Sequence, residues 1–280
     1  QAVEHVEALL AQSVPPERVV VIDNGRSPEL AGLLARFGPA VKYWQMPWNT
    51  GPAGAAAAGL QELAGTAEWI YWGDDDQPPA VGAFAEQLAI AETSCADVVA
   101  ASGWNWSSSR GSLVRADPDR TMAEAMLVDV SAGSMSLLIS SSAVATAGLP
   151  FPELFWGYED IEYLLRVRRA GKLIVAPIRK RGVPRKAART PALEFAALPR
   201  TYYTVRNSVY MVVHLHRCPS AGMIMSGRAL AVSVRSFSNG SRYGFRALRL
   251  TTTAIFDGWL GLLGSPIPLR SIDLREDLWD

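Results

Sequence analysis

Cysteine is nearly absent. Cys95 and Cys218 are the only two in 280 residues, too few and too far apart for a disulfide framework or a zinc knuckle. That scarcity fits a reducing compartment. Histidine is almost as rare: His5 is alone in the first half, on the polar side of its helix and read as a surface residue. His214 and His216 lie two apart, on different faces of a helix, and make a poor metal pair. No apolar run reaches the ~18 residues that cross a bilayer, and no signal-peptide pattern follows Gln1. These absences exclude a secreted disulfide scaffold and an integral membrane protein, and they point to a cytoplasmic globular enzyme or binding module.

Net charge is also lacking, but only in the sum. Residues 1–178 hold 11 Lys and Arg against 21 Asp and Glu, whereas 179–280 hold 16 against 6. An acidic half followed by a basic half suggests a metal-binding region joined to one that meets phosphates, nucleic acid or an anionic membrane.

With 49% apolar residues the chain can bury a sizeable core. Its pattern alternates strands and helices: a helix over 2–12 ended by Pro15-Pro16, a strand over 18–22, a helix over 28–37 and a strand over 41–44. A helix from about Asn49 follows, then a buried strand over 69–72, a helix over 81–92, a strand over 96–101, a helix over 140–148 and a strand over 172–177. The fold class expected is α/β. The chain opens inside a helix, and a parallel unit normally has a strand before it, so the first strand is expected to be missing.

Chemistry collects where strands end. Val19 to Ile22 runs into Asp23-Asn24-Gly25, which puts a carboxylate at the sheet's carboxyl edge, where α/β proteins bind ligands. Asn49-Thr50-Gly51-Pro52-Ala53-Gly54 opens a small-residue helix that either admits a phosphate at its amino end or simply packs tightly on a sheet. Trp69-Ile70-Tyr71-Trp72-Gly73 ends in Asp74-Asp75-Asp76 and then Pro78-Pro79. Three adjacent acids repel one another and suit a hard divalent cation such as Mg²⁺ or Mn²⁺, although a solvated, helix-capping turn would look alike.

A second constellation follows at Leu154-Phe155-Trp156-Gly157-Tyr158-Glu159-Asp160-Ile161-Glu162. Acids begin this helix and arginines end it, as the helix dipole favours. The dipole does not account for the aromatic loop in front, which reads as a pocket wall beside a general base. The segment 103–111, with Trp104 and Trp106, reads as a long polar loop. From Met223 to Gly264, amphipathic helices carry Arg228, Arg235, Arg242, Arg246 and Arg249, with Phe245, Leu248, Leu250, Ile255, Phe256, Trp259 and Leu262 on their apolar faces. They suit either an anionic membrane surface or packing onto the catalytic domain or a second subunit.

Taken in order, Asp23-Asn24-Gly25, Asn49-x-Gly51, Trp72-Gly73-Asp74-Asp75-Asp76, Gly157-Tyr158-Glu159-Asp160-Ile161-Glu162 with Arg166 and Gly171, and Tyr202-Tyr203-x-x-Arg206-Asn207 resemble the family 2 inverting glycosyltransferases. The nearest subgroup is the bacterial rhamnosyl- and galactofuranosyltransferases of cell-envelope glycans. The resemblance covers residues 1–210 or so and implies a GT-A fold, a Rossmann-like nucleotide-binding sheet with helices on both faces. The catalytic domain would span 1–200 and a helical region 201–280. It implies a UDP- or dTDP-linked sugar donor, a glycan or lipid-linked acceptor, Mn²⁺ or Mg²⁺, no nucleic acid, a possible homo-oligomer, and a place on the inner membrane face.

By the same resemblance, Asp23 lies near the nucleotide base and Asn49 with Gly51 beside the nucleotide. Asp74 and Asp75 sit with the nucleotide-sugar, Asp74 and Asp76 hold the metal, Asp160 deprotonates the acceptor hydroxyl, and Glu159 with Trp156 lines the acceptor side. Many relatives place a metal-binding histidine some twenty residues after the base, and 177–189 here has only basic residues and prolines among candidates. A catalytically silent sugar-binding module on the same scaffold, or a nucleotidyltransferase, is the alternative.

Overall fold

The computed structural model describes residues 1–75, 77–107, 109–115, 121–122, 125–131, 136–177 and 199–265. The basic stretch 179–191, read as a loop, lies outside them, as does Asp76. The chain divides into two compact units, one of residues 1–107 with 112–184 and one of 108–111 with 185–280.

In the first unit the β-branched run Val19–Asp23 forms β1, paired in parallel with β2, Val41–Gln45. β3 (Trp69–Gly73), β4 (Val98–Ala100), β7 (Thr121–Met122), β8 (Ala125–Leu127), β9 (Ser136–Ser140) and β10 (Ile174–Pro177) build a mixed six-stranded sheet in the order β3-β9-β4-β10-β8-β7. β4 and β10 are parallel and the other neighbours antiparallel. β4 is wholly buried at the sheet's centre, as its unbroken Val98-Val99-Ala100 requires. β3 was expected to be buried too, yet only Ile70 is; β3 bonds to β9 alone and is an edge strand.

Helices cover both faces. Ile90 and Ala91 of α4 (Ala83–Ser94) pack with Val99, Leu138 and Val175, while Val98, Leu137, Ile139 and Ile174 point to the other face and are equally buried. α5 (Ser141–Ala147) packs on β9 and on α6 (Glu159–Arg169). The hydroxyl of Ser140 caps α5 by accepting the Ala143 amide.

α1 (Ala2–Leu10) and α3 (Gly51–Leu63) tie β1 to β3: Val6 and Leu9 of α1 share a core with Val19, Val21 and Tyr71, and α3 packs on both strands. Among the described residues β1 and β3 each have one unpaired edge. α2 (Leu30–Ala35) supplies Leu34 to the same core. His5 corrects the sequence reading, because it is buried. Gly73 lies opposite it, where a Cβ would stand 3.4 Å from His5 Nε2 and 2.7 Å from the Tyr71 ring.

The polar segment 103–111 is also not a plain loop. β5 (Trp104–Ser107) and β6 (Ser112–Arg115) form a hairpin, in which alternating tryptophans favour an extended strand over the loop that the serines suggested.

The second unit is helical: α7 (Pro199–Tyr210), one wide turn over Met211–Leu215 that carries His214, α8 (Pro219–Arg235) and α9 (Ser241–Leu260). α8 and α9 are antiparallel neighbours, joined by hydrogen bonds between Ser233 and Thr251 and from Trp259 to Ser226. α9 buries small residues, Gly244, Ala247, Thr251, Ala254 and Gly258, with Gly258 against Arg206 and Val209 of α7. Phe245, Phe256 and Leu262, read as lying on apolar faces, are exposed, because close helix approach uses the small-residue face. Arg206 is fully buried against the Tyr202 and Tyr203 rings and donates to the Gly264 carbonyl at 2.6 Å.

Candidate functional site

The end of β1 becomes a rigid loop because one carboxylate holds it. Asp23 Oδ1 accepts the amides of Gly25 and Arg26, and Oδ2 accepts the Ser27 amide and the Tyr43 hydroxyl, all within 2.9 Å. The phenol donates to that carboxylate, which raises the Tyr43 pKa. Asn24, which the sequence reading passed over, joins this loop to the start of α3. Its amide donates to the Gly51 carbonyl at 2.8 Å, and its oxygen accepts the Thr50 amide and hydroxyl. Asn49 in turn accepts the Gly51 amide.

Gly51 has a φ of +68°, and a Cβ there would overlap the Phe155 carbonyl, within 2.8 Å of its carbon. The Ala53 amide donates to that same carbonyl. Glycine is therefore needed twice over, for backbone sign and for contact, and it couples the Asn49–Gly51 turn to the aromatic loop.

That loop is strained. Phe155 and Tyr158 adopt φ of +61° and +69° without being glycine, on either side of Gly157 at +74°. Tyr158 meets the edge of Trp106 in the β5–β6 hairpin, with ring centroids 6.4 Å apart. Trp156 is half-buried beside it. The left-handed Tyr158 then starts α6, so that Glu159 and Asp160 fall in its first turn.

The two acids differ in environment. Glu159 is buried, with one carboxyl oxygen receiving the Gly157 amide and Oε2 buried without a hydrogen-bond partner among the described residues. Burial, and then the neighbouring Asp160 and Asp74 charges, push its pKa up to about 8. Asp160 is raised to about 6, chiefly by burial and further by Asp74, against the pull of the Ile161 amide, which it accepts at 2.8 Å. The Trp72 ring of β3 lies 6.0 Å from the Tyr163 ring of α6, centroid to centroid, so the end of β3 converges with the start of α6, and the Asp74 charge raises both acids. Glu162 points away: it forms a two-toothed pair with Arg166, which also donates to the carbonyls of Ala147 and Leu149.

Asp75 is exposed at the β3 turn, and Asp76 lies outside the described residues. Among the described residues no three His, Cys, Asp or Glu side chains form a metal cluster. The donors that do converge are hard carboxylates, the type that suits Mg²⁺ or Mn²⁺. One or two protein carboxylates suffice when a diphosphate and water complete the shell.

Residues 3–135 match the family model described as glycosyl transferase family 2. Over that stretch, just under half of the chain, the sequence is similar to glycosyl transferase family 2. A 76-residue stretch is 34% identical to galactofuranosyltransferase GlfT1 of Mycolicibacterium smegmatis, covering 27% of this chain and 25% of that relative. Among solved structures, GalNAc-T7 with UDP, GalNAc and Mn²⁺ aligns with a TM-score of 0.57 at 15% identity, over 89% of this chain and 51% of that one. TarS of S. aureus aligns at 0.52 and 12% identity, over 92% and 52%. The chain therefore spans about half the length of these structures, and at such identities the likeness shows the fold alone. That fold is GT-A, with a helical region after it.

Proposed function

We propose that this glycosyltransferase moves a sugar from a UDP- or dTDP-linked donor, such as a galactofuranose or rhamnose nucleotide, to a hydroxyl of a glycan or lipid-linked acceptor, with inversion. The observation that supports this reading is the convergence of Asp74 on Glu159 and Asp160. Donor-side and acceptor-side chemistry, 85 residues apart in sequence, share one electrostatic environment.

In the reaction the acceptor oxygen forms its bond to the anomeric carbon as the carbon–phosphate oxygen bond breaks. The acceptor proton passes to the Asp160 carboxylate, and the nucleoside diphosphate leaves. With a pKa of about 6, Asp160 is ionised at neutral pH yet still basic enough to accept a proton, whereas Glu159 at about 8 stays protonated beside it. That split supports Asp160 as the base and Glu159 as a neutral donor on the acceptor side, next to Trp156. Asp23, through the loop that it organises, and Asn49 with Gly51 frame the nucleotide, and Asp74 with Asp75 meets the diphosphate end. A Mn²⁺ or Mg²⁺ ion held by Asp74 and Asp76 would neutralise charge on the leaving diphosphate.

The test is incubation with UDP- and dTDP-sugars and a hydroxyl acceptor in Mn²⁺, with the product's anomeric configuration read by NMR. Inverted product supports the reading. Retained configuration, donor binding without turnover, or pyrophosphate release from a nucleoside triphosphate would each overturn it.

A further inference from the structure

The outer face of α9 carries large side chains that are exposed among the described residues, with Phe245 also meeting the edge of the Phe237 ring, centroids 5.0 Å apart. Arg242, Phe245, Arg249, Thr252, Thr253, Phe256 and Leu260 are all exposed, and their spacing puts them on one stripe about 100° wide. Phe245 is 65% exposed and Phe256 62%. α8 repeats the composition: Met223, Ile224, Arg228, Val234 and Arg235 are exposed along it.

Charge discriminates between occupants. Between residues 199 and 265 the chain has eight arginines and a single acid, Asp257, and Asp257 is engaged by the Tyr202 hydroxyl. A second copy docking by the same face would set arginine against arginine. A soluble polyanion would answer the arginines but have no use for Phe245 and Phe256.

We infer that α9, with α8 beside it, is a docking face for an anionic lipid surface, with its arginines at the headgroups and its phenylalanines and leucines at the acyl boundary. No helix among the described residues is long and apolar enough to cross a membrane, so the contact is interfacial. The inference deepens the reading of a lipid-linked acceptor and rests on it only for purpose. Docking itself does not depend on turnover.

The experiment is flotation of the whole chain with phosphatidylcholine vesicles, with and without phosphatidylglycerol, at low and at high salt. The expected result is binding to the anionic vesicles alone, weakened by salt. The joint change Arg235→Gln, Arg242→Gln and Arg249→Gln should lower the partition coefficient by about 100-fold, at about fivefold per arginine. Phe245→Ser with Phe256→Ser should lower it by about tenfold or more, through lost apolar burial. Both variants should keep the parent's helical circular dichroism, since every substituted side chain is exposed, and only the phenylalanine variant should lose a little melting temperature, from the Phe237 contact of Phe245. Failure of the parent to float with anionic vesicles at low salt overturns the inference. So does equal binding to neutral vesicles, indifference to the phenylalanine changes, or a parent dimer in sedimentation that the variants split. A chain that floats yet transfers no sugar would leave docking standing and defeat the enzymatic reading instead.

Discussion

Glu159→Gln should stabilise the protein, and by an amount that grows with pH. The glutamate is buried, with a pKa near 8 in the fold, whereas an unfolded glutamate titrates near its ordinary value of 4.5. The folded value is raised, so between these limits the folded state holds a proton that the unfolded state has released. Stability therefore falls as pH rises through that window. At pH 5 the loss is only about 1 kcal/mol, and at pH 8 it reaches roughly 4 kcal/mol, from 1.36 kcal/mol per unit of separation. Glutamine fills nearly the same space and cannot ionise, so the variant escapes the loss. Its advantage over the parent should grow by about 3 kcal/mol from pH 5 to pH 8, or some 6–12 °C in melting temperature at 2–4 °C per kcal/mol. The assay is thermal unfolding by circular dichroism with a chelator present, so that no cation compensates the carboxylate. A melting difference that stays constant from pH 5 to pH 8 would refute the reasoning, because it would mean that Glu159 is ionised in the fold and solvated.

Asp160→Asn keeps the shape and removes the base, and should cost 10²–10⁴-fold in turnover with donor affinity retained, as measured on one donor and acceptor pair. The parent's turnover should rise with pH through about 6, as Asp160 ionises. Glu162→Ala should spare turnover per folded molecule but cost about 3 kcal/mol in urea unfolding, because it strips Arg166 of its buried partner. Asp74→Ala should abolish the Mn²⁺-dependent part of UDP binding in calorimetry and leave binding in chelator unchanged; equal affinity in saturating Mn²⁺ would refute the metal assignment. Gly51→Ala should cost about 1–3 kcal/mol in backbone strain alone, and more from the Phe155 overlap, readable as a lowered melting temperature.

The alternation of strands and helices was legible because Val-Val-Val-Ile and Val98-Val99-Ala100 are apolar runs bounded by turn residues. What failed were positions that tertiary contact decides. His5 reads as surface by helical phase, but it is buried because a strand glycine lies opposite. Phe245 and Phe256 read as an apolar face open to either a membrane or a packing partner, and they are exposed because α9 packs through glycine and alanine. In the site, each acid was visible as a residue, but the contrast between Glu159 and Asp160 was not, since it depends on burial and on Asp74. Asn24 left no signal beyond being a turn residue. Its three hydrogen bonds across the start of α3 exist only in the folded chain.

The two unpaired strand edges have a consequence for handling the protein. Among the described residues β1 and β3 share the helices α1 and α3 yet do not bond to each other, so each offers a row of amide and carbonyl groups to an extended segment. Such edges invite strand addition and self-association. A segment seated against either edge would add a strand to that sheet and stiffen the ground from which Asp23 or Asp74 projects. Supplied as a peptide of alternating β-branched residues, it would act as a folding partner rather than a ligand, raising the melting temperature in proportion to the logarithm of its concentration.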